Sequence, residues 1–459
     1  MALKNQGRPN IVFLFSDQQR YDTVSCYGAS PGAGFALTPN IDLLAAEGVR
    51  FDLAMTCQPV CGPARACLQT GLYPEGIGCP VNDRALPRGI PTIADRLNGA
   101  GYETAYVGKW HLASHRSFGG GPDSFDCRTK PVPPERRGGW RDFWMAADVL
   151  EFTSHGYGGF VYDGDGRPVD FEGYRADFLA DCAIGYIRRE KRGPFCLFVS
   201  WLEPHYQNDR EHCEAPEGWR EKYEDFAVPG DLEGTGGDWR VEMPDYLACC
   251  KSLDVNVGRI VSALKEAGLY ENTLIVYTSD HGCHFRTRNA EYKRSPHDAS
   301  LHVPLVIRGP GFEGGITVNR LTSLIDLPPT LLRAAGIGIP DAFPGFPLQS
   351  LAEDPEVPLR EEVYVQISEA GDGRAIRTEG HTYCAMFDGG DLREAYAYDN
   401  LADPYQRRNL AGLPEYADLR AELRRRLEAA VLREEGKRVK ILEDPKGDAA
   451  SPKKPGKNF

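Results

Sequence analysis

The segment Cys57-Gln-Pro-Val-Cys61-Gly-Pro-Ala-Arg65-Ala-Cys-Leu-Gln-Thr-Gly71 holds the residues best suited to do chemistry. Of its three cysteines, only Cys61 is followed by both Pro at +2 and Arg at +4. The run 64–70 carries no helix breaker and ends at Gly71, which predicts a short helix with Cys61 at its mouth. Unpaired backbone N–H groups and the helix dipole favour an anion there. A cysteine so placed, with Arg65 one turn away, is set up for chemistry on an oxyanion. The competing reading is that free cysteines usually pack as small apolar side chains. The rest of the chain decides between the two.

A length of 459 residues suits one large α/β domain plus a smaller one. Apolar content of 41% supplies a substantial core, and 50 Gly with 34 Pro imply many ordered turns. A net charge of −13 argues against nucleic acid as a partner. An anionic small substrate stays open, because a local cluster of Lys, Arg and His can reverse the field inside one pocket. No apolar run approaches membrane-spanning length, so no membrane partner is expected. The start, Met1-Ala-Leu-Lys-Asn-Gln-Gly-Arg-Pro9, lacks the apolar stretch of a secretory signal, and a cytoplasmic location is the expectation. The 13 cysteines show neither metal-finger spacing nor a disulfide framework. None of these features sets the oligomeric state.

Ile11-Val-Phe-Leu-Phe15 reads as a strand buried on both faces of a parallel sheet, ending in Ser16-Asp17-Gln18-Gln19-Arg20. Thr38-Pro39-Asn40 opens a helix that Gly48 closes. Tyr102-Glu-Thr-Ala-Tyr-Val107 is strand-like and runs into Gly108-Lys109-Trp110-His111. From about 113 to 177, Gly, Pro, Arg and aromatics dominate, among them Trp140, Trp144, Tyr157 and Tyr162. That composition reads as a substrate-facing insertion. Helices are expected over 177–190, 245–267 and 323–335. Phe195-Cys-Leu-Phe-Val199 ends near Glu203-Pro204-His205, and Leu274-Ile-Val-Tyr277 ends at Ser279-Asp280-His281; Val303-Pro-Leu-Val-Ile307 is the last clear strand of this domain. Pro and Gly crowd 339–347 and suggest a boundary. The expected organisation is a catalytic α/β domain over 8–345 and an α+β subdomain over 346–435. Short strands at Val363-Tyr-Val-Gln-Ile367, Ala375-Ile-Arg377 and Thr382-Tyr-Cys-Ala-Met386 fit an antiparallel sheet, closed by an amphipathic helix at about 415–433. The Lys- and Pro-rich tail 436–459 is expected to be disordered.

In an open parallel sheet, ligands bind outside the carboxyl ends of the strands. Here those ends carry Asp17, Lys109 with His111, His205, and Asp280 with His281. Each alone has an ordinary explanation as a cap, a solvated lysine or a core histidine. Four strand ends that all finish in metal-capable or anion-binding residues point to one site.

In this order the motifs resemble the sulfatase branch of the alkaline-phosphatase superfamily over nearly the whole chain. The 10–20 strand and turn resembles the family's first metal-binding turn, and Cys61-Gly-Pro-Ala-Arg65 its modification motif. The segment from Gly101 to His111 resembles its second signature, and Glu203-Pro-His205 and Asp280-His-Gly282 fit later motifs. Lys293, with Asp298 at +5 and Val303-Pro304 beyond, resembles a segment whose lysine contacts sulfate. Tyr398-Asp-Asn-Leu-Ala-Asp403-Pro404, then Asn409-Leu410, resembles the C-terminal subdomain. There are departures: Gln18 follows Asp17 where two acids are usual, His281 stands for Asn, Asp298 for Glu, and His302 for Arg.

The resemblance implies a large mixed, mostly parallel sheet sandwiched by helices, with a smaller C-terminal α+β subdomain carrying an antiparallel sheet. It implies a sulfuric ester hydrolase in which a maturation enzyme oxidises Cys61 to formylglycine. The hydrate of that aldehyde attacks sulfur. Asp17, Gln18, Asp280 and His281 would hold a divalent cation, Ca²⁺ by resemblance, with Mg²⁺, Mn²⁺ or Zn²⁺ open because an imidazole is present. Arg65 and Lys109 would hold the nucleophile's oxygens, His205 and Lys293 would bind sulfate and protonate the leaving alcohol, and His111 would take the remaining hydroxyl proton. His284, Arg286, Arg288 and His302 are expected to face the substrate, a carbohydrate sulfate by preference. Two alternatives stand beside this: a phosphonate monoester or phosphodiester hydrolase using the same site, and a non-catalytic sulfated-glycan binder in which Cys61 stays a thiol.

Overall fold

The computed structural model describes residues 7–28, 37–116 and 124–443. Its larger sheet comprises β1 (Asn10–Ser16), β2 (Val49–Met55), β3 (Glu103–Lys109), β4 (Phe143–Ala147), β5 (Tyr157–Tyr162), β6 (Pro168–Tyr174), β7 (Phe195–Ser200), β8 (Thr273–Ser279), β9 (Leu305–Arg308) and β10 (Ile316–Ser323). Their order across the sheet is β10-β2-β9-β8-β1-β7-β3-β4-β5-β6. The central run from β8 to β4 is parallel. Strand β9 runs antiparallel to both β8 and β2, and β5 and β6 close the far edge as an antiparallel pair.

Helices α1 (Pro39–Glu47), α2 (Cys61–Thr70), α3 (Ile93–Gly99), α4 (Arg175–Ile187) and α5 (Trp239–Glu266) cover the sheet. Side chains alternate across a strand, and β1 is apolar in both phases. Its Ile11, Phe13 and Phe15 join one core with Ala66 and Leu68 of α2 and Leu97 of α3. Its Val12 and Leu14 join the other with Leu44 of α1, Leu179 of α4 and Leu253 of α5. The result is three layers.

Register brings the carboxyl ends level. Ser16 pairs with Ser279, and Phe15 and Gly108 both pair with Ser200. A ladder of rings crosses the parallel strands at this register. Phe13 stacks on Phe198 at 4.6 Å, Phe198 on Tyr106 at 5.1 Å, and Tyr106 on Trp144 at 5.4 Å. Trp140 meets Tyr106 and Phe198 edge-on. This corrects the reading of 113–177 as a substrate-facing insertion. Trp140 and Trp144 are buried in the core, and the segment supplies β4, β5 and β6. Large rings release the most free energy when removed from water, so the packed face takes them. Strands β2 and β10, which pair in parallel at the other edge, were not expected from the sequence. Their apolar and polar residues alternate, as befits an edge.

The smaller sheet contains β11 (Glu362–Ile367), β12 (Gly373–Thr378), β13 (His381–Asp388), β14 (Asp391–Asp399) and β15 (Ile441–Leu442). The first four are antiparallel neighbours. The helix Ala417–Glu435 lays Leu423, Leu427 and Val431 against Tyr364, Ile376 and Tyr383. Beyond it, the expectation of a disordered tail fails in its first part, because Ile441 is buried and pairs with Leu392. Residues 444–459 lie outside the described residues. Several contacts dock this sheet on the larger one. Gln366 N donates to Cys57 O at 2.9 Å, and the Arg377 guanidinium grips the Asp298 carboxylate through Nε and NH2, each at 2.9 Å. Among the described residues, no helix is long and apolar enough to cross a membrane.

Phe198 touches four other rings, as does Tyr106. Phe198→Ala is expected to lower folding stability by about 3–5 kcal/mol, read as the denaturant midpoint, and Phe198→Leu by clearly less.

Candidate active site

Helix α2 starts at Cys61 itself, three residues earlier than the run 64–70 suggested, with Pro63 in its first turn and Val60 in extended conformation before it. All ten of its residues are buried. It stops at Gly71, which is left-handed (φ 72°) and lies under the Phe343 ring, so any side chain there would meet both strain and a clash. The Gly62 N–H, next to the nucleophile position, donates to Asn82 Oδ1 at 2.9 Å.

Around Cys61 Sγ the strand ends converge. Asp17 follows β1, and its Oδ1 lies 3.5 Å from the sulfur. Its Oδ2 accepts from Arg65 NH2 at 2.8 Å and from Lys109 Nζ, at the end of β3, at 2.6 Å. Arg65 is steered by Ser200 Oγ at the end of β7 and by the Lys109 carbonyl, which also accepts from Tyr106 of the ring ladder. Lys293 Nζ reaches Sγ at 2.9 Å and His205 Nε2 at 3.0 Å. His205 Nδ1 donates to the Tyr206 carbonyl, which leaves Nε2 as the acceptor facing Lys293. Glu151 Oε2 lies 3.6 Å from His205 Nδ1. His111 lies beside Cys61 and helps lower its thiol, its Nδ1 has no protein partner, and its backbone is left-handed (φ 58°).

Charge follows from this packing. Burial would raise the Cys61 thiol, yet Lys109, Lys293, His281 and His111 hold it well below its ordinary value. Burial and the nearby Cys61 would raise Asp17, but Lys109, His205 and Arg65 draw it far below the usual carboxylate range. Burial works against the charged form of Lys109, and Asp17 and Cys61 overcome it and push the ammonium up. Asp280 is raised by burial and by the Asp17 carboxylate. An anion at the position of Sγ is therefore strongly favoured.

Asp17, Cys61, Asp280 and His281 each place one ligand-type atom within 4.8 Å of the others, all buried. The Gly282 carbonyl can only accept, so it fixes His281 Nδ1 as the donor and leaves the Nε2 lone pair turned toward Cys61 Sγ at 3.3 Å and Asp280 Oδ1 at 3.5 Å. Asp280 Oδ1 accepts from the backbone N–H of Gln18 and of His281, whereas its Oδ2 is buried without a hydrogen bond. An orphaned carboxylate oxygen beside an imidazole lone pair and a second carboxylate suits a cation. The cluster can hold a metal ion. Gln18 meets it through its main chain, and its amide nitrogen lies 3.8 Å from Cys283 Sγ.

Three of the four expected substrate residues go elsewhere. His284 is fully buried, its Nε2 bonded to the Lys293 carbonyl, and burial lowers it to about 4, so it is a neutral brace behind Lys293. Arg288 donates to the carbonyls of Tyr405 and Gln406. His302 lies flat on Tyr21 at 3.6 Å and is likewise lowered to about 4 by burial. These three are committed to the scaffold, which corrects their assignment. Arg286 pairs with Asp238 and lies over Tyr206, the residue after His205, and over Tyr292, with its head partly exposed. Sequence reasoning missed Ser200 and Asn82. Only the level ends of β7 and β3 could have flagged Ser200, and nothing in its own segment flags Asn82.

With this geometry in view, comparison with known proteins is informative. The Sulfatase family model matches residues 9–337, and the model for N-sulphoglucosamine sulphohydrolase, C-terminal, matches 291–433. An ulvan-active sulfatase of Formosa agariphila is 33% identical over 91% of this chain and 80% of its own length. An N-acetylglucosamine-6-O-sulfatase of Bacteroides thetaiotaomicron is 27% identical over 92% of this chain and 86% of its own. The solved structure of a yidJ sulfatase from Bacteroides fragilis superposes with a TM-score of 0.82 at 26% identity, covering 95% of this chain and 98% of that one. The chain belongs to the sulfatase family of sulfuric ester hydrolases.

Proposed function

We propose that the chain removes sulfate from a carbohydrate sulfate ester, with a formylglycine made from Cys61 as nucleophile and Ca²⁺ as the resident cation. The observation that carries this is the environment of one atom. Cys61 Sγ lies 2.9 Å from Lys293 Nζ, 3.3 Å from His281 Nε2 and 3.5 Å from Asp17 Oδ1. Anion-binding and cation-binding groups thus meet at the nucleophile position. Relatives named for activity on ulvan and on N-acetylglucosamine sulfate support a sugar as the alcohol.

Cys61 Sγ marks the place of the hydroxyl oxygen of the aldehyde hydrate. Asp17, Asp280 and His281 would hold the cation, which would supply charge neutralisation, and the hydrate would supply both a nucleophilic hydroxyl and a second one for release. Lys109 and Arg65, anchored on Asp17, stabilise negative charge at the nucleophile. Lys293 bridges that position and His205, so it holds a sulfate oxygen while His205 Nε2 serves the leaving alcohol. His111, with a free Nδ1, takes the proton of the second hydroxyl. Conversion of the thiol needs a maturation enzyme as partner.

The test is the mass of the Cys61 peptide, about 18 Da lower after oxidation to the aldehyde, together with turnover of monosulfated sugars beside a phosphodiester and a phosphonate monoester. Sulfate release from sugars is expected to dominate. An intact thiol with no turnover would favour the glycan binder, and faster phosphoester cleavage the other hydrolase. Lys293→Ala is expected to lower kcat on the order of 10²–10³-fold with the metal content unchanged. Asp280→Asn is expected to lower bound metal and activity together, the affinity for metal falling roughly 10–100-fold, as read by metal analysis after dialysis.

A further inference from the structure

We propose that Arg294 and Glu369 form the rim that binds the leaving-group sugar beside the sulfate, and that they select a neutral, hydroxyl-rich alcohol over a polyanionic one. This rests on the sulfatase reading above.

The two residues come from loops of the two parts of the chain, between β8 and β9 and just past β11, and meet beside the segment that carries Cys61. Arg294 follows Lys293 directly, and its backbone N–H donates to the Pro59 carbonyl, two residues before Cys61. Glu369 lies just past β11, the strand whose Gln366 bonds Cys57. Its carboxylate accepts from the Asn82 backbone N–H at 2.6 Å, and Asn82 in turn accepts from the Gly62 N–H. Arg294 NH2 closes the ring on Glu369 at 2.6 Å. Both side chains keep partial exposure, 18% and 16%, where the cluster around Cys61 is sealed.

Their backbone is strained, a feature they share with seven other non-glycine residues among those described. Arg294 (φ 70°) and Glu369 (φ 69°) are left-handed, as are Gln18 and His111 at the site itself. Glycine adopts that conformation without strain, whereas a long side chain costs free energy there, and such residues cluster where the side chain is used. Each pays this cost at the mouth.

Their chemistry indicates the class of alcohol. The Arg294 guanidinium is shared by Glu369 and Glu291, the latter at 3.2 Å, so two carboxylates face one cation. A carboxylate accepts O–H donors from vicinal hydroxyls and has lone pairs left beyond those used by Asn82 and Arg294. The same negative excess disfavours a sugar that carries a second sulfate or a uronate.

The experiment measures kcat and KM of the matured enzyme on para-nitrophenyl sulfate, on a panel of neutral monosulfated monosaccharides including N-acetylglucosamine with one O-sulfate, and on glucosamine carrying both N- and O-sulfate. The wild type is expected to prefer the monosulfated sugar over the disulfated one. Glu369→Gln is expected to lower the sugar-to-aryl ratio of kcat/KM by about 10-fold, through KM, because a charge-assisted hydrogen bond is lost. It should also narrow the preference against the disulfated sugar. Arg294→Gln, which leaves Glu369 on Asn82, is expected to widen that preference. Equal losses on sugar and aryl ester would overturn the proposal and make the pair a scaffold, as would unchanged ratios. Turnover of the aryl ester with none of the sugars would overturn it while leaving the sulfatase reading intact. A wild type that cleaves no sulfate ester would overturn both.

Discussion

Asp17 Oδ2 accepts from Arg65 and Lys109 in a place sealed from water, and the site depends on that shared carboxylate. Burying a single ammonium or guanidinium costs several kcal/mol unless it is paired. One carboxylate oxygen bears two cations here, so positive charge remains for an incoming anion. The other oxygen stays turned toward the nucleophile position and the His281 ring. Asp280 is the counterweight. Its own charge is disfavoured by burial and by Asp17, and its second oxygen has only Arg65, at 3.6 Å. Such a carboxylate can take a metal ion as its missing partner.

The charged cluster is only as well placed as the strand ends that carry it. In a close-packed interior, displacement of one strand is felt by its neighbours. The in-register stack from Phe13 to Trp144 ties four parallel strands side by side, and the Tyr106 hydroxyl carries the tie to the Lys109 carbonyl that steers Arg65. The smaller sheet adds a second brace through β11 and the Arg377–Asp298 pair. Apolar packing thus sets distances at which buried charges are tolerable.

That Cys61, Arg65, Lys109, Asp17, Asp280, His205 and His281 come together was legible in the sequence, because each falls at the end of an apolar run or in a short motif. The central strands were legible for the same reason: β1, β7 and β8 are apolar in both phases. Strands β2 and β10 were missed because half of each faces a polar environment. The aromatic stretch before β5 was misread, since composition alone cannot tell a ring packed edge-on against Phe198 from one presented to a ligand. His284, Arg288 and His302 were misassigned for a related reason. Their types suit an anion, but their partners, a carbonyl, two carbonyls and a tyrosine ring, come from distant segments or the far side of a loop. Asn82 and Glu369 carried no local signal, because their importance arises from contact across 287 positions.

The burial of α2 orders events in time. Cys61 is 2% exposed, and every residue of its helix is enclosed by both sheets and their loops. A small ester can enter by the mouth, but a catalyst the size of a protein can grip the segment around Cys61 only while it is still extended. The conversion proposed for that thiol would therefore belong to the life of the nascent chain, before β11 is bonded to Cys57. A molecule that folds first is left with a thiol that no macromolecule can reach, and its fate is settled before its first encounter with substrate.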